Sequence, residues 1–79
     1  MSQRAVPKLR VALGRRLREL RGQCGWSQAR LAARAGLSGK FLGEVERSEK
    51  SISLDSLAHL ARALRMRVLR QNLVRRTSG

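Results

Sequence analysis

The sequence predicts an all-α domain of four to five helices, and three observations support this fold class. The chain has 79 residues, a length that permits one domain with a thin core. It contains one Trp, one Phe and no Tyr, so Leu, Ala and Val must fill that core. These residues and the abundant arginines favour helix over strand, and apolar residues recur at helical spacing along most of the chain.

Local signals place the helices in order. Pro7 can open the first helix, because its missing N–H would be unpaired there anyway. The apolar face of that helix comprises Leu9, Leu13, Leu17 and Leu20. Ser27, Ser38 and Ser53 are N-cap residues for three further helices, and Gly36 ends the second helix in the left-handed conformation that glycine accepts. The expected apolar stripe of the fourth helix is Leu54, Leu57, Leu60, Ala61 and Leu64.

Charge and helix signals divide the chain into three segments. Residues 1–7 are expected to form a flexible basic arm, and residues 8–64 the folded domain. No Gly or Pro separates residues 65–79 from the fourth helix. This basic segment is therefore expected to be either a short fifth helix or an extension of the fourth.

The chain is strongly basic, with a formal net charge of +13 and a pI of about 12.0. Residues 1–35 carry +8, residues 36–59 carry −1 and residues 60–79 carry +6. Such a chain attracts polyanions, so nucleic acid is the first partner to consider and an anionic membrane surface the second. Most of the basic residues are Arg, whose guanidinium suits bidentate contact with phosphate or guanine.

Several classes of protein do not fit the sequence. A single cysteine, Cys24, excludes an intrachain disulfide and a cysteine zinc cluster, and it fits a reducing, cytoplasmic location. The N-terminus has no signal-peptide apolar region, and no apolar stretch approaches the roughly 20 residues that cross a bilayer. Paired carboxylates, a nucleophile with its base and a phosphate-binding glycine loop are all missing from the sequence. We therefore expect no enzymatic activity, cofactor, metal site, membrane association or small-molecule substrate.

The functional signal lies in the stretch Ser27–Arg47. A short helix is followed by the turn Ala35–Ser38, which contains Gly36, and then by a second short helix. A three- to four-residue turn with glycine sets two helices at a steep angle, so that the second helix can stand out and enter a major groove. The apolar wedge between the two helices is expected to comprise Leu31, Ala32, Leu37, Leu42 and Val45.

Here the chain resembles the Cro/lambda-repressor-like (XRE-type) helix-turn-helix family. The resemblance covers residues 13–64. It rests on Arg21, Ser27-Gln28, Leu31-Ala32, Gly36-Leu37-Ser38, Val45-Glu46-Arg47, Ser53–Leu57 and Leu60–Leu64, in that order. It implies a lambda-repressor-like domain with its helix-turn-helix at helices two and three.

The resemblance also implies which residues contact DNA. They are Gln28, Ser38, Gly39, Lys40, Gly43, Glu44, Arg47 and Lys50. Gln28 would donate to a backbone phosphate, and Ser38 would lie near a phosphate at the N-terminus of the second helix of the motif. Arg47 and Lys50 would contact further phosphates. The other four would face bases, with Lys40 donating to guanine and Glu44 accepting from cytosine unless it pairs with Lys40 or Arg47.

One implied contact is structural, and four positions depart from the family pattern. Arg21 and Glu46 would form an ion pair between the first helix and the end of the third. Ser48 occupies a position where the family has Gly, so a positive φ there would strain it. Arg65 replaces the Gly that follows the fourth helix, which leaves the fifth helix open. The two glycines at base-facing positions make direct readout of bases sparse.

The implied function is that of a transcriptional regulator, a repressor or controller protein, that binds double-stranded DNA sequence-specifically. The implied location is the cytoplasm, in association with the nucleoid, for a protein of bacterial or phage type. Such proteins act as homodimers, and the apolar face of Met66, Leu69 and Leu73 is the best dimer candidate. Three alternatives remain: a non-specific architectural protein, an antitoxin, and an interaction module that has kept the fold but lost DNA binding.

Overall fold

The fold is all-α, as expected. A computed structural model describes the backbone of residues 5–78 and the side chains of residues 7–73. These residues form four helices and no strand: α1 (Ala5–Cys24), α2 (Gln28–Ala35), α3 (Gly39–Glu46) and α4 (Leu54–Ser78). Because α1 begins at Ala5, residues 5–7 of the expected arm are helical; residues 1–4 lie outside the described residues.

The three expected serine caps are in place. Ser27, Ser38 and Ser53 each accept a hydrogen bond from the backbone N–H three residues on, at 3.1, 3.0 and 3.1 Å respectively. Each bond satisfies one of the backbone donors that a helix leaves unpaired in its first turn. Local sequence therefore determines where α2, α3 and α4 begin.

The turn between α2 and α3 is closed by Gly36. Its φ is 72°, in the left-handed region that residues other than glycine rarely adopt. The Gly36 N–H donates to the carbonyl of Ala33 at 3.3 Å, and the Leu37 N–H donates to the carbonyl of Ala32 at 2.8 Å. These two bonds satisfy the last carbonyls of α2 and turn the chain directly into the Ser38 cap.

One apolar core joins all four helices. Its buried members are Leu17, Cys24, Trp26, Leu31, Ala32, Ala35, Leu42, Val45, Leu60 and Leu64. The predicted wedge between α2 and α3 is confirmed, with Leu37 packed against its edge. The stripe predicted for α4 is wrong at two positions, because Leu54 is 84% exposed and Ala61 is exposed. Leu54 is the first residue of α4, and the first residue of this helix buried in the core is Leu60.

The segment after residue 64 extends the fourth helix. α4 runs without a break through Arg65, where the related pattern has glycine, and reaches Ser78. Arginine favours helix and offers no left-handed stop, so nothing at this position ends α4. The alternative of a fifth helix is therefore wrong for the described residues.

Gly14 sets how closely α1 approaches the end of α3. A Cβ atom at this position would lie 2.6 Å from the backbone oxygen of Glu46 and 3.0 Å from that of Val45. No side chain fits there without moving one of the helices. No local sequence pattern indicates this role for Gly14.

Replacing Gly14 with alanine should therefore lower the free energy of unfolding by about 1–3 kcal/mol, because the new methyl group meets backbone atoms. Gly22→Ala is the matched control on the same helix, since a Cβ there has no neighbour within 4 Å. It should raise stability by up to about 1 kcal/mol through helix propensity. Urea unfolding followed by circular dichroism measures both, and an equal effect of the two substitutions would contradict the close approach.

Candidate nucleic-acid interface

The last residue of α3, Glu46, carries a fully buried carboxylate; its side chain is 0% exposed. Burial of a charged carboxylate is costly unless it is paired and hydrogen-bonded. A negative charge at a helix C-terminus also opposes the helix dipole. Glu46 therefore needs partners from other parts of the chain.

Arg21 of α1 is the main partner. Its Nε donates to Oε2 of Glu46 at 2.9 Å, and its Nη2 donates to Oε1 at 3.0 Å. The remaining nitrogen, Nη1, donates to the backbone oxygen of Trp26 at 3.0 Å. This bidentate geometry is the strongest arrangement that an arginine and a carboxylate can form, and it also ties the α1–α2 loop to the pair.

Two further residues complete a group that we call the Glu46 cluster: Arg18, Arg21, Gln28 and Glu46. Nε2 of Gln28, the first residue of α2, donates to Oε1 of Glu46 at 3.1 Å. Arg18 donates from Nη2 to the backbone oxygen of Glu46 at 3.5 Å, and its Nε lies 3.9 Å from Oε1. The cluster thus connects α1, α2 and α3 through one carboxylate.

The exposed face of α3 contains Lys40, Glu44 and Arg47. Their spacing of four and then three residues places them on one side of the helix and its C-cap. Lys40 and Arg47 are exposed, and Glu44 is half-buried. Within the described residues, the Lys40 ammonium forms no hydrogen bond or ion pair, so it is free to bind a ligand.

The two glycines of α3 let neighbouring groups come close. A Cβ at Gly43 would lie 3.1 Å from Nη1 of Arg47 and 3.2 Å from Oε1 of Gln28, and Gly43 is buried. A Cβ at Gly39 would lie 3.4 Å from Cα of Ala29. Side chains from both sides thus cover Gly43, which does not lie open as a base-facing position would.

Arg47 is paired within its own loop. Its Nε donates to both carboxylate oxygens of Glu49, at 3.0 and 3.1 Å. This hydrogen bond lowers the pKa of Glu49 and raises the pKa of Arg47 from their ordinary values. Both groups are exposed, so solvent screens the pair and it contributes little to stability. A phosphate that binds Arg47 must compete with Glu49.

The chain leaves α3 through a strained turn. Ser48 has φ 65°, as expected if this position requires a positive φ. Its N–H donates to the carbonyl of Val45 at 3.0 Å, and the N–H of Glu49 donates to that of Glu44 at 2.8 Å. The Ser48 hydroxyl donates to the backbone oxygen of Arg10 at 3.4 Å, which holds the turn against α1.

The structure brings Gln28, Gly43 and Arg47 together beside α3. Ser38 and Lys50 are exposed at the beginning of α3 and in the loop after it, and Arg21 and Glu46 form the pair that fixes α3. Arg18 was missed. It lies three residues before Arg21 and four after Gly14, and this spacing on one face of α1 is the signal that could have revealed it.

A pair of short helices joined by a three-residue turn, with the second helix exposing a polar face, defines a helix-turn-helix domain. Residues 12–73 match the family described as a helix-turn-helix domain, and the chain belongs to that family. The chain is also similar to the HTH-type transcriptional regulator SutR of Escherichia coli strain K12. The two are 44% identical over 48 residues, which are 61% of this chain and 27% of SutR. No solved structure gave a significant match.

No helix of the described residues is both long enough and apolar enough to span a bilayer. The same residues contain no group of three His, Cys, Asp or Glu side chains that could hold a metal ion.

Removing the main partner of Glu46 should destabilise the domain strongly. Arg21→Ala leaves a buried carboxylate without its bidentate donor, so we expect the free energy of unfolding to fall by about 3–5 kcal/mol in urea titrations. Arg16→Ala is the matched control, because the pair that Arg16 forms with Glu19 at 3.2 Å is more than half exposed. Its loss should cost less than about 0.5 kcal/mol, and similar costs for both variants would contradict a structural role for the Glu46 cluster.

Proposed function

We propose that this protein is a transcriptional regulator that binds double-stranded DNA sequence-specifically as a dimer, with α3 in the major groove. The observation that carries the proposal is the exposed face of Lys40, Glu44 and Arg47, held in a fixed orientation by the Glu46 cluster. The family match over residues 12–73, the printed function of the similar regulator and the net charge of +13 support it.

Phosphate contacts supply most of the affinity in this proposal. The N-terminus of α3 presents unpaired backbone N–H groups next to Ser38, and helix N-termini favour anions. Arg47 and Lys50 are exposed beyond the other end of α3 and can contact a second phosphate. Gln28 already donates one amide hydrogen to Glu46, so only its second amide hydrogen is available for the DNA backbone. Such contacts orient α3 but do not read sequence.

Direct readout of bases rests on two side chains. Lys40 can donate to guanine O6 or N7, and Glu44 can accept from the cytosine amino group. Each good contact of this kind discriminates by about 1–3 kcal/mol. The glycines of α3 add no side chain to the groove, so DNA shape must supply part of the specificity.

The dimer contact of this proposal uses the exposed apolar residues of α4. Met66 is 48% exposed and Leu69 52%, and Leu73 lies one turn further on. A twofold dimer through this face would set two copies of α3 against half-sites about 34 Å apart. The arginines beside the face repel their copies in such a dimer, so neutralisation by DNA phosphates should favour assembly on the operator. In this proposal the regulator is a repressor or a controller protein.

A non-specific DNA-coating protein is the second candidate. The covered Gly43 and the high positive charge favour it, because both shift the balance from base contacts to phosphate contacts. It differs from the first candidate in a measurable way, since it binds all sequences with similar affinity and a steep dependence on salt.

The proposal is tested by selection from a random duplex library at near-physiological salt, followed by sequencing. We expect an enriched near-palindrome, and two half-sites separated by about one helical turn would establish the dimer. Lys40→Ala should relax the preference at one base pair in each half-site and weaken binding by about tenfold. Retention without enrichment would identify the non-specific candidate instead. Absence of retention would reject DNA binding by this chain.

Freeing Arg47 should strengthen DNA binding. Glu49→Gln removes its intramolecular partner, so we expect a several-fold higher affinity and a slope of log K against log salt that is steeper by about one contact. Asp55→Asn is the matched control, because it makes the same change in charge at an exposed position at the start of α4. Fluorescence anisotropy with one labelled duplex measures both; equal effects would mean that only net charge matters and that Arg47 does not contact phosphate.

A further inference from the structure

We propose that the cleft between α2 and α4 is a binding site for a small polyanion bearing phosphate groups, separate from the α3 face. The cleft has a volume of about 470 Å³, within the range of small-molecule sites. The residues that matter to this proposal are Trp26, Arg30, Arg34, Arg62, Arg67 and Arg70, all of which line it. We call it the α2–α4 cleft.

The charge of the cleft is uncompensated. Five arginines from two helices line it, together with His59, and no acidic residue does. Among the described residues, none of these five arginines forms a salt bridge, whereas Arg16, Arg21 and Arg47 each pair with a glutamate. Like charges spaced as Arg30 and Arg34 are on α2 repel each other. A bound polyanion would remove this repulsion, and guanidinium groups bind phosphate oxygens in bidentate fashion.

The inner wall of the cleft contains a buried donor without an acceptor. The guanidinium carbon of Arg67 lies 5.6 Å from the centre of the Trp26 ring, a cation–π distance. Its Nε is buried and has no hydrogen-bond partner among the described residues, an arrangement that is rare in folded proteins. A bound oxyanion would satisfy this donor once the guanidinium turned toward the cleft.

The α2–α4 cleft is distinct from the proposed DNA-reading face. No residue of α3 lines the cleft, Lys40 and Glu44 included, and Lys50 in the following loop does not line it either. The cleft is of small-molecule size and lies between two helices, which favours a compact ligand over a duplex, whose phosphates follow an extended path. We therefore assign the cleft to a free phosphorylated ligand, independently of whether α3 binds DNA.

The chain contains its own reporter for this site. Trp26 is the only tryptophan of the sequence, and it lines the cleft beneath Arg67. Titration of the full chain with inorganic tripolyphosphate at about 0.15 M salt, where exposed charges are screened, should give a saturable change in tryptophan fluorescence. Inorganic monophosphate should bind at least tenfold more weakly, because it reaches fewer of the five arginines.

Two double variants distinguish binding of tripolyphosphate at a specific site from its general electrostatic attraction to a basic protein. Arg34→Ala with Arg62→Ala removes one arginine from each wall of the cleft and should weaken tripolyphosphate binding by tenfold or more. Arg15→Ala with Arg65→Ala removes the same charge from exposed positions outside the cleft and should change it by less than twofold. All four side chains are exposed, so both variants should keep the fold, which circular dichroism checks.

Three results would overturn the proposal. One is a fluorescence titration of the unmodified chain that does not saturate. Another is an equal loss of tripolyphosphate affinity in the two double variants, which would mean general charge attraction. The third is competition between duplex DNA and tripolyphosphate together with weaker DNA binding by the cleft variant than by its control, which would assign the arginines to the DNA path. If the chain does not bind DNA at all, the fluorescence titration and the comparison of the two double variants still test the cleft.

Discussion

The buried carboxylate of Glu46 is the constraint on which the rest of the structure depends. It lies at the negative end of α3 with no exposure to solvent, so it requires donors from outside its own helix. Arg21 of α1 and Gln28 of α2 provide them. A buried ion pair stabilises little relative to apolar packing, whereas one missing partner is costly. Its main effect is therefore to fix how α3 lies against α1 and α2.

This constraint also shapes the surface that α3 exposes. The side chain of Gln28 donates a hydrogen bond to Glu46 and, together with that of Arg47, covers Gly43. The exposed polar groups that remain on this face are few, and Lys40 is the one cation among them without a partner in the described residues. A helix held in this position, with few side chains that can contact base edges, would recognise DNA largely through the DNA backbone and the DNA shape. In the proposed complex, the orientation of α3 and the specificity for DNA would thus depend on different residues.

Arginines that form no salt bridge within the described residues line the α2–α4 cleft. α4 continues as one helix past residue 64, and the arginines along it face others on α2 across the α2–α4 cleft. Few acidic residues are available to neutralise them, because three of the five, Glu19, Glu46 and Glu49, already pair with other arginines. Anions would relieve the mutual repulsion of these arginines, and this property connects the proposed DNA binding, the proposed dimer and the proposed ligand.

The sequence by itself determined the local parts of this protein. Serine caps and a left-handed glycine act within about four residues, so the starts of α2 to α4 and the turn after α2 could be predicted from their own neighbours. The pair of Arg21 and Glu46 was accessible only through resemblance to a family. Tertiary structure alone decided the close approach at Gly14, the added contact of Arg18 and the cover over Gly43. These depend on how helices cross, and they join groups far apart in the chain, such as Gly14 and Arg18 with Glu46, whose meeting no local pattern encodes.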